Sequence, residues 1–164
     1  MYQVGEYIIY RNVGICKVEA IGKLCFSAEE KDYYTLRPLY ASGNARLYVP
    51  VNKDMFMRNV ITRQEAYEYL NVLEEMQTQP FGAKKTVQLA AHYDDLMTRH
   101  DLASHLRLFK ELCQKEKMVR EKGKKFGQLE SRYMSQVEKL LADEFSYALS
   151  ETPDLSKKRL HAAI

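Results

Sequence analysis

The sequence predicts an α+β chain in which a small β module, residues 1–61, precedes an all-α helical bundle, residues 62–164. Three observations carry this division. β-Branched and aromatic residues gather in short runs before residue 61. At Thr62 the apolar period changes from that of a strand to that of a helix. Glycine, proline, serine and asparagine punctuate both halves where turns are needed.

In the β module, VGEYIIYRNVGICKVEAIG (residues 4–22) reads as a hairpin, Val4 to Tyr10 and Gly14 to Ile21, with Arg11-Asn12 in the gap. Gly5 and Gly14 serve tight backbone geometry. Asp32 to Leu39 and Ala45 to Val51 are the next strands, separated by Ser42-Gly43-Asn44 and preceded by the polar connector Ser27 to Lys31. Strands this short and this closely spaced imply a small barrel or a strongly bent sheet. Pro38 and Pro50 cannot donate to a ladder, so both belong at edges or strand ends, and Arg46-Leu47-Tyr48-Val49-Pro50 is the candidate open edge.

The helical half opens with TRQE, a capping-box pattern at Thr62, followed by Ala66, Leu70, Leu73 and Met76 at helical spacing, which predicts a helix over 62–77. Gln79-Pro80-Phe81-Gly82 stops it. A second helix is expected from Ala83 to Met97, burying Val87, Ala90, Tyr93 or Leu89, and Met97. Asp101 is the expected N-cap of a third, with Leu102, Leu106, Phe109 and Cys113 or Leu112 as its stripe. Gly123 and Gly127 bracket a break. Leu129, Tyr133, Val137, Leu140, Leu141, Phe145 and Ala148 then mark the longest helix, and Thr152-Pro153 opens a short last one to His161.

Composition narrows the function. Hydrophobic residues make up 46% and charged residues 29%, the mix of a globular chain, and the net charge of +3 gives only a weak lean towards polyanions. Cys16, Cys25 and Cys113 lack CxxC spacing and fit a reducing cytoplasm; with four scattered histidines they supply no zinc pattern. No secretory leader and no apolar run of about 18 residues is present, so neither export nor a membrane span is expected. GxSxG, P-loop and GxGxxG motifs are missing, and adjacent Asp94-Asp95 diverge on a helix, so no catalytic role, cofactor, metal or small-molecule substrate is expected. Cys16 and Cys25, among apolar strand residues, read as buried inert thiols. A binding protein is the expectation.

Charge clustering bears on what the second half would bind. Lys110 to Lys125 holds seven basic residues against Glu111, Glu116 and Glu121, and Lys84-Lys85 and Lys157-Lys158-Arg159 add smaller clusters. Such clusters suit phosphate contacts, although a solvated helix face has the same composition. Basic and aromatic residues do not alternate, so any nucleic-acid contact should be to the backbone.

The succession VGEYIIYRNVGICKVEAI, DYYTLRPL, LYVPV and MRNVI resembles the N-terminal domain of the CarD/CdnL family of bacterial transcription regulators, shared with the RNA-polymerase-interacting domain of the transcription-repair coupling factor. LASHLRLFKELCQKEK and QLESRYMSQVEKLLADEFSYAL are similar to the paired helices of the full-length family. The resemblance implies a Tudor-like β-barrel that docks on the RNA polymerase β subunit. It also implies a helical domain touching promoter DNA near the transcription bubble, open-complex modulation without covalent chemistry, and a cytoplasmic, nucleoid-associated location. By position it assigns polymerase binding to Lys23, Leu24, Arg46, Leu47, Tyr48 and Val49, and DNA contact to the neighbourhood of Lys84 and Lys85. Lys122, Lys124 and Lys125 join the DNA-contacting set through the basic run.

The chain departs from the family pattern at two places. Several family members carry arginine where Leu24 and Tyr48 stand here, leaving Arg46 as the strand's cation. Many also place a tryptophan wedge near Lys84; this chain has no tryptophan, and Phe81 is the nearby aromatic. Without that stacking on a base, worth about 1–3 kcal/mol, DNA binding is expected to be weak and mainly ionic. A protein-interaction adaptor with no DNA role is the alternative.

Overall fold

The computed structural model describes residues 1–53 and 56–164 and divides into two units, Met1–Val60 and Ile61–Ile164.

The first unit is a five-stranded antiparallel sheet: β1 (Tyr7–Tyr10), β2 (Gly14–Gly22), β3 (Tyr33–Pro38), β4 (Leu47–Pro50) and β5 (Met57–Asn59). The strand order is β4-β3-β2-β1-β5, and among the described residues no pairing of β4 with β5 closes it into a barrel. The gap in the first hairpin is a turn of 3-10 helix over Arg11–Val13, and Gly14 leaves it at φ 94°, a conformation that favours glycine. Pro38 and Pro50 are the last residues of their strands, where a missing N–H costs no ladder bond. Ile8, Tyr10, Cys16, Val18, Tyr34, Leu36 and Val49 form the small core. Between Val18 and Ala20 the register slips by one residue, a bulge that sets Glu19 outside the regular pairing.

One thiol departs from expectation. Cys16 is buried, and burial pushes its thiol up to about 11, but Cys25 is exposed in the loop after β2. Gly22 ends the strand before Cys25 is reached, so this sulfur never enters the sheet.

The second unit contains α1 (Arg63–Glu75), α2 (Thr86–Thr98), α3 (Leu102–Glu121), α4 (Gln128–Leu149) and α5 (Pro153–Ala162). The capping box at α1 is complete: Thr62 Oγ1 accepts from Glu65 N–H at 3.1 Å, and Glu65 Oε2 accepts from Thr62 N–H at 2.7 Å. Asp101 caps α3 by accepting from Ser104 N–H at 2.7 Å, and Thr152 caps α5 ahead of Pro153. Leu73, Leu106, Phe109, Leu112, Val137, Leu141, Phe145 and Leu160 are among the side chains that fill the core. Helix α2 starts at Thr86 rather than Ala83, and Val87 is 78% exposed instead of buried. Its buried residues are Tyr93, Leu96 and Met97; Val87, six positions before Tyr93, lies about 120° away around the helix and misses that stripe.

Candidate functional site

In the first unit, β4 is an edge strand: it pairs with β3 from Leu36↔Leu47 to Tyr33↔Pro50, and among the described residues no strand follows it on its other side. Such an edge is a template for a further strand. Arg46 stands just before β4 and is exposed; within it Leu47 is half-buried, Tyr48 exposed and Val49 buried. The Val49 side chain belongs to the core, so at this edge it has only backbone to offer. Lys23 is exposed and Leu24 half-buried in the segment that follows β2.

Two features beside this edge do not stand out in the sequence. Phe26 packs edge-to-face on Tyr48, ring centroids 5.1 Å apart. The Glu19 carboxylate, at the bulge, meets Arg46 Nε at 2.7 Å and Arg37 Nε at 3.1 Å. An apolar ring beside an otherwise polar connector is the available signal for Phe26; no local pattern marks the bulge at Glu19.

In the second unit, α2 and α3 run antiparallel. His105 Nε2 lies 3.2 Å from Met97 O, and His92 Nε2 lies 2.7 Å from Glu111 Oε2. This course carries Lys84 and Lys85, at the start of α2, to the end where α3 closes into Lys122, Lys124 and Lys125. All five are exposed. Lys85 is the N-cap of α2, its carbonyl accepting from Gln88 N–H at 3.1 Å. Thr78 Oγ1 donates to Gln114 Oε1 at 2.8 Å, and Phe81 stacks on His92 at 4.2 Å, so the segment before α2 is anchored to the helices. Gly123, at φ 70°, turns the chain after α3, and Lys124 N–H donates to Val119 O at 2.9 Å. Lys124 and Lys125 border a shallow cavity of about 330 Å³ with Arg120, Glu116, Phe126 and Ser131.

The basic run is not a single cationic surface. Lys110 is buried and donates to the Leu73 and Glu74 carbonyls, and Lys115 Nζ lies 2.6 Å from Glu130 Oε1. Arg120 pairs with Glu116 at 2.7 Å. Helical periodicity turns Lys110 and Lys115 inward and pairs Arg120 on its own face, while Lys117 and the loop lysines stay exposed. Of the C-terminal cluster, Arg159 pairs with Glu151 at 2.8 Å and Lys157 with Glu138 at 3.9 Å.

Groups that could do chemistry are engaged structurally. Tyr133 donates its hydroxyl proton to Asp94, and Asp95 pairs with Arg99 at 2.7 Å. Cys113 Sγ lies 4.0 Å from His161 Nδ1, whose Nε2 is 2.7 Å from Glu138, beside an open cavity of about 400 Å³. The order Cys–His–Glu resembles that of an activated thiol, but burial, with Glu116 and Glu138 nearby, pushes Cys113 up to about 12. It is therefore a protonated thiol at neutral pH, the opposite of an activated nucleophile. Among the described residues no cluster of three His, Cys, Asp or Glu side chains could hold a metal ion, and no helix is long and apolar enough to cross a membrane.

The comparison with curated proteins gives no match. Residues 2–61 match the family model described as the CarD-like/TRCF RID domain, a span that holds all five strands and the β4 edge. Over those residues, the chain is similar to the CarD-like/TRCF RID domain.

Proposed function

We propose that this protein binds RNA polymerase, on its β subunit, through the edge strand β4, and that the helical unit contacts promoter DNA near the transcription bubble and modulates open-complex stability. The observation that carries the reading is the free edge of β4 inside the CarD-like/TRCF RID match. The short, bulged strands suit the Tudor-like curvature of this proposal, in which residues 1–61 dock and residues 62–164 meet DNA. Backbone pairing at the edge gives affinity, and alternate side chains give specificity. Lys84, Lys85, Lys122, Lys124 and Lys125 are exposed at one end of the bundle and suit phosphate contacts, which position a protein on DNA without reading sequence.

The test is capture of RNA polymerase by the full chain and by Arg46→Glu. The substitution sets a carboxylate against Glu19, 2.7 Å from the present guanidinium, and should weaken capture. Equal capture by both proteins counts against the β4 edge.

A second reading is an adaptor with no DNA role. It is favoured by the internal use of Lys110, Lys115 and Arg120, which removes much of the charge that the basic run promises.

A further inference from the structure

We propose that Cys113 and His161 form a binding site for one soft monovalent cation of the Cu(I) class, held between the Cys113 sulfur and His161 Nδ1. The site lies in the helical unit and does not depend on the docking proposed at β4.

Cys113 belongs to α3 and His161 to α5, and folding brings Sγ and Nδ1 to 4.0 Å across 48 residues of chain. The imidazole is held on two sides: its Nε2 lies 2.7 Å from Glu138 Oε2, and the Phe109 ring meets it edge-on with centroids 5.2 Å apart. A carboxylate only accepts, so the ring proton sits on Nε2 and the Nδ1 lone pair faces the sulfur. This is the carboxylate–histidine arrangement that fixes the tautomer and orientation of a metal-ligating imidazole. Bonds of about 2.3 Å to sulfur and about 2.0 Å to nitrogen span the 4.0 Å separation at an angle of about 135°, wider than tetrahedral. Among the described residues no third His, Cys, Asp or Glu completes a cluster, so the protein offers two donors. Structural zinc asks for four, whereas a thiolate and an imidazole at an open angle suit a soft ion of low coordination number.

The open cavity of about 400 Å³ beside the pair gives the ion its way in. Its charged residues are Glu116, Glu121, Lys117 and Arg120, and Arg120 is already paired with Glu116 at 2.7 Å. Glu116 and Glu138 oppose a bare thiolate at Cys113, and the same negative field favours a cation there. On binding, the Cys113 S–H bond breaks, its proton leaves to solvent and a sulfur–metal bond takes its place, with no change in oxidation state.

The experiment titrates the full chain with Cu(I) under anaerobic, reducing conditions in competition with a chromogenic Cu(I) chelator, with a thermal melt of each variant. Cys25→Ser, which removes the exposed thiol of the β unit, should retain one tight equivalent, and Cys113→Ser in that background should lose it. Glu138→Gln, which acts only through His161, should weaken affinity by about 10–100-fold, and His161→Gln should weaken it further. Bound Cu(I) should also raise the melting temperature of Cys25→Ser, because it ties α5 to α3, and leave that of Cys113→Ser unmoved. The site is overturned if Cys25→Ser binds no Cu(I), or if Cys113→Ser or His161→Gln, folded by its melt, binds as tightly as Cys25→Ser does.

Discussion

Lys110 Nζ donates to the carbonyl oxygens of Leu73 at 2.5 Å and Glu74 at 3.0 Å, so an amine from α3 closes the last turn of α1. Carbonyls at a helix end have no partner within the helix, and a buried cation is tolerated only when its hydrogens are used. Both conditions are met by one residue that is 6% exposed. Lys110→Met retains the aliphatic stem and removes the donors, and it should cost about 2 kcal/mol. A lowered urea midpoint at unchanged slope would show this; an unchanged midpoint would mean that the carbonyls find other donors.

The Asp101 cap gives the stability a pH dependence of fixed sign. Burial pushes its carboxyl up, but bonds from the Ser104 N–H and hydroxyl, with His105 and Arg99 nearby, outweigh it and hold the group below the ordinary aspartate value. A depressed carboxyl stabilises the fold above its unfolded value, about 3.9, and loses that contribution as pH falls through the lower folded value. Asp101→Ala should therefore cost about 1 kcal/mol at neutral pH, a typical cap penalty. The gap from wild type in denaturant unfolding should narrow below about pH 4. A gap that stays constant into acid would assign the cost to helix propensity instead.

Val87 and Leu106 test which apolar residues form the core of the helical unit. Leu106 is fully buried, and Leu106→Ala should cost about 2–5 kcal/mol. Val87→Glu, on the exposed side of α2, should fall within about 0.5 kcal/mol of wild type. Chemical denaturation of the two variants side by side separates them, and a large cost at Val87 would restore it to the buried face.

These contrasts show which parts of the molecule are legible in sequence. TRQE, Asp101 and Thr152-Pro153 encode their caps within a few residues, so three helix starts follow from local chemistry. Pro50 ends β4 as a residue without an N–H donor should, but Pro38 ends the interior strand β3 in the same way, so the edge position of β4 comes from the sheet order and not from proline. Val87 is misplaced by its sequence pattern because apolar character does not say which stripe meets a neighbour. Lys110 and Lys115 read as surface charge because their partners, Leu73, Glu74 and Glu130, lie 15 to 37 residues away along the chain. Glu19 escapes a sequence reading because a bulge depends on how neighbouring strands register, which no single strand records.

The same distinction between free and engaged lysines yields a prediction for DNA. Lys84 and Lys85 are exposed, as are Lys124 and Lys125, whereas Lys115 is bound to Glu130 at 2.6 Å. On a forked promoter fragment, Lys84→Glu with Lys85→Glu, and separately Lys124→Glu with Lys125→Glu, should weaken binding. Removing one lysine–phosphate pair should flatten the slope of log K against log salt by about 0.9 on duplex and 0.7 on single strand. Lys115→Met should leave DNA affinity unchanged and instead lower stability, because it strands the Glu130 carboxylate that now accepts its hydrogen bond. Titrations at several salt concentrations, paired with thermal melts, separate these effects. Uniform weakening in all three variants would point to general unfolding, and absence of any wild-type binding at low salt would favour the adaptor, with the lysine end of the bundle left to another acidic partner.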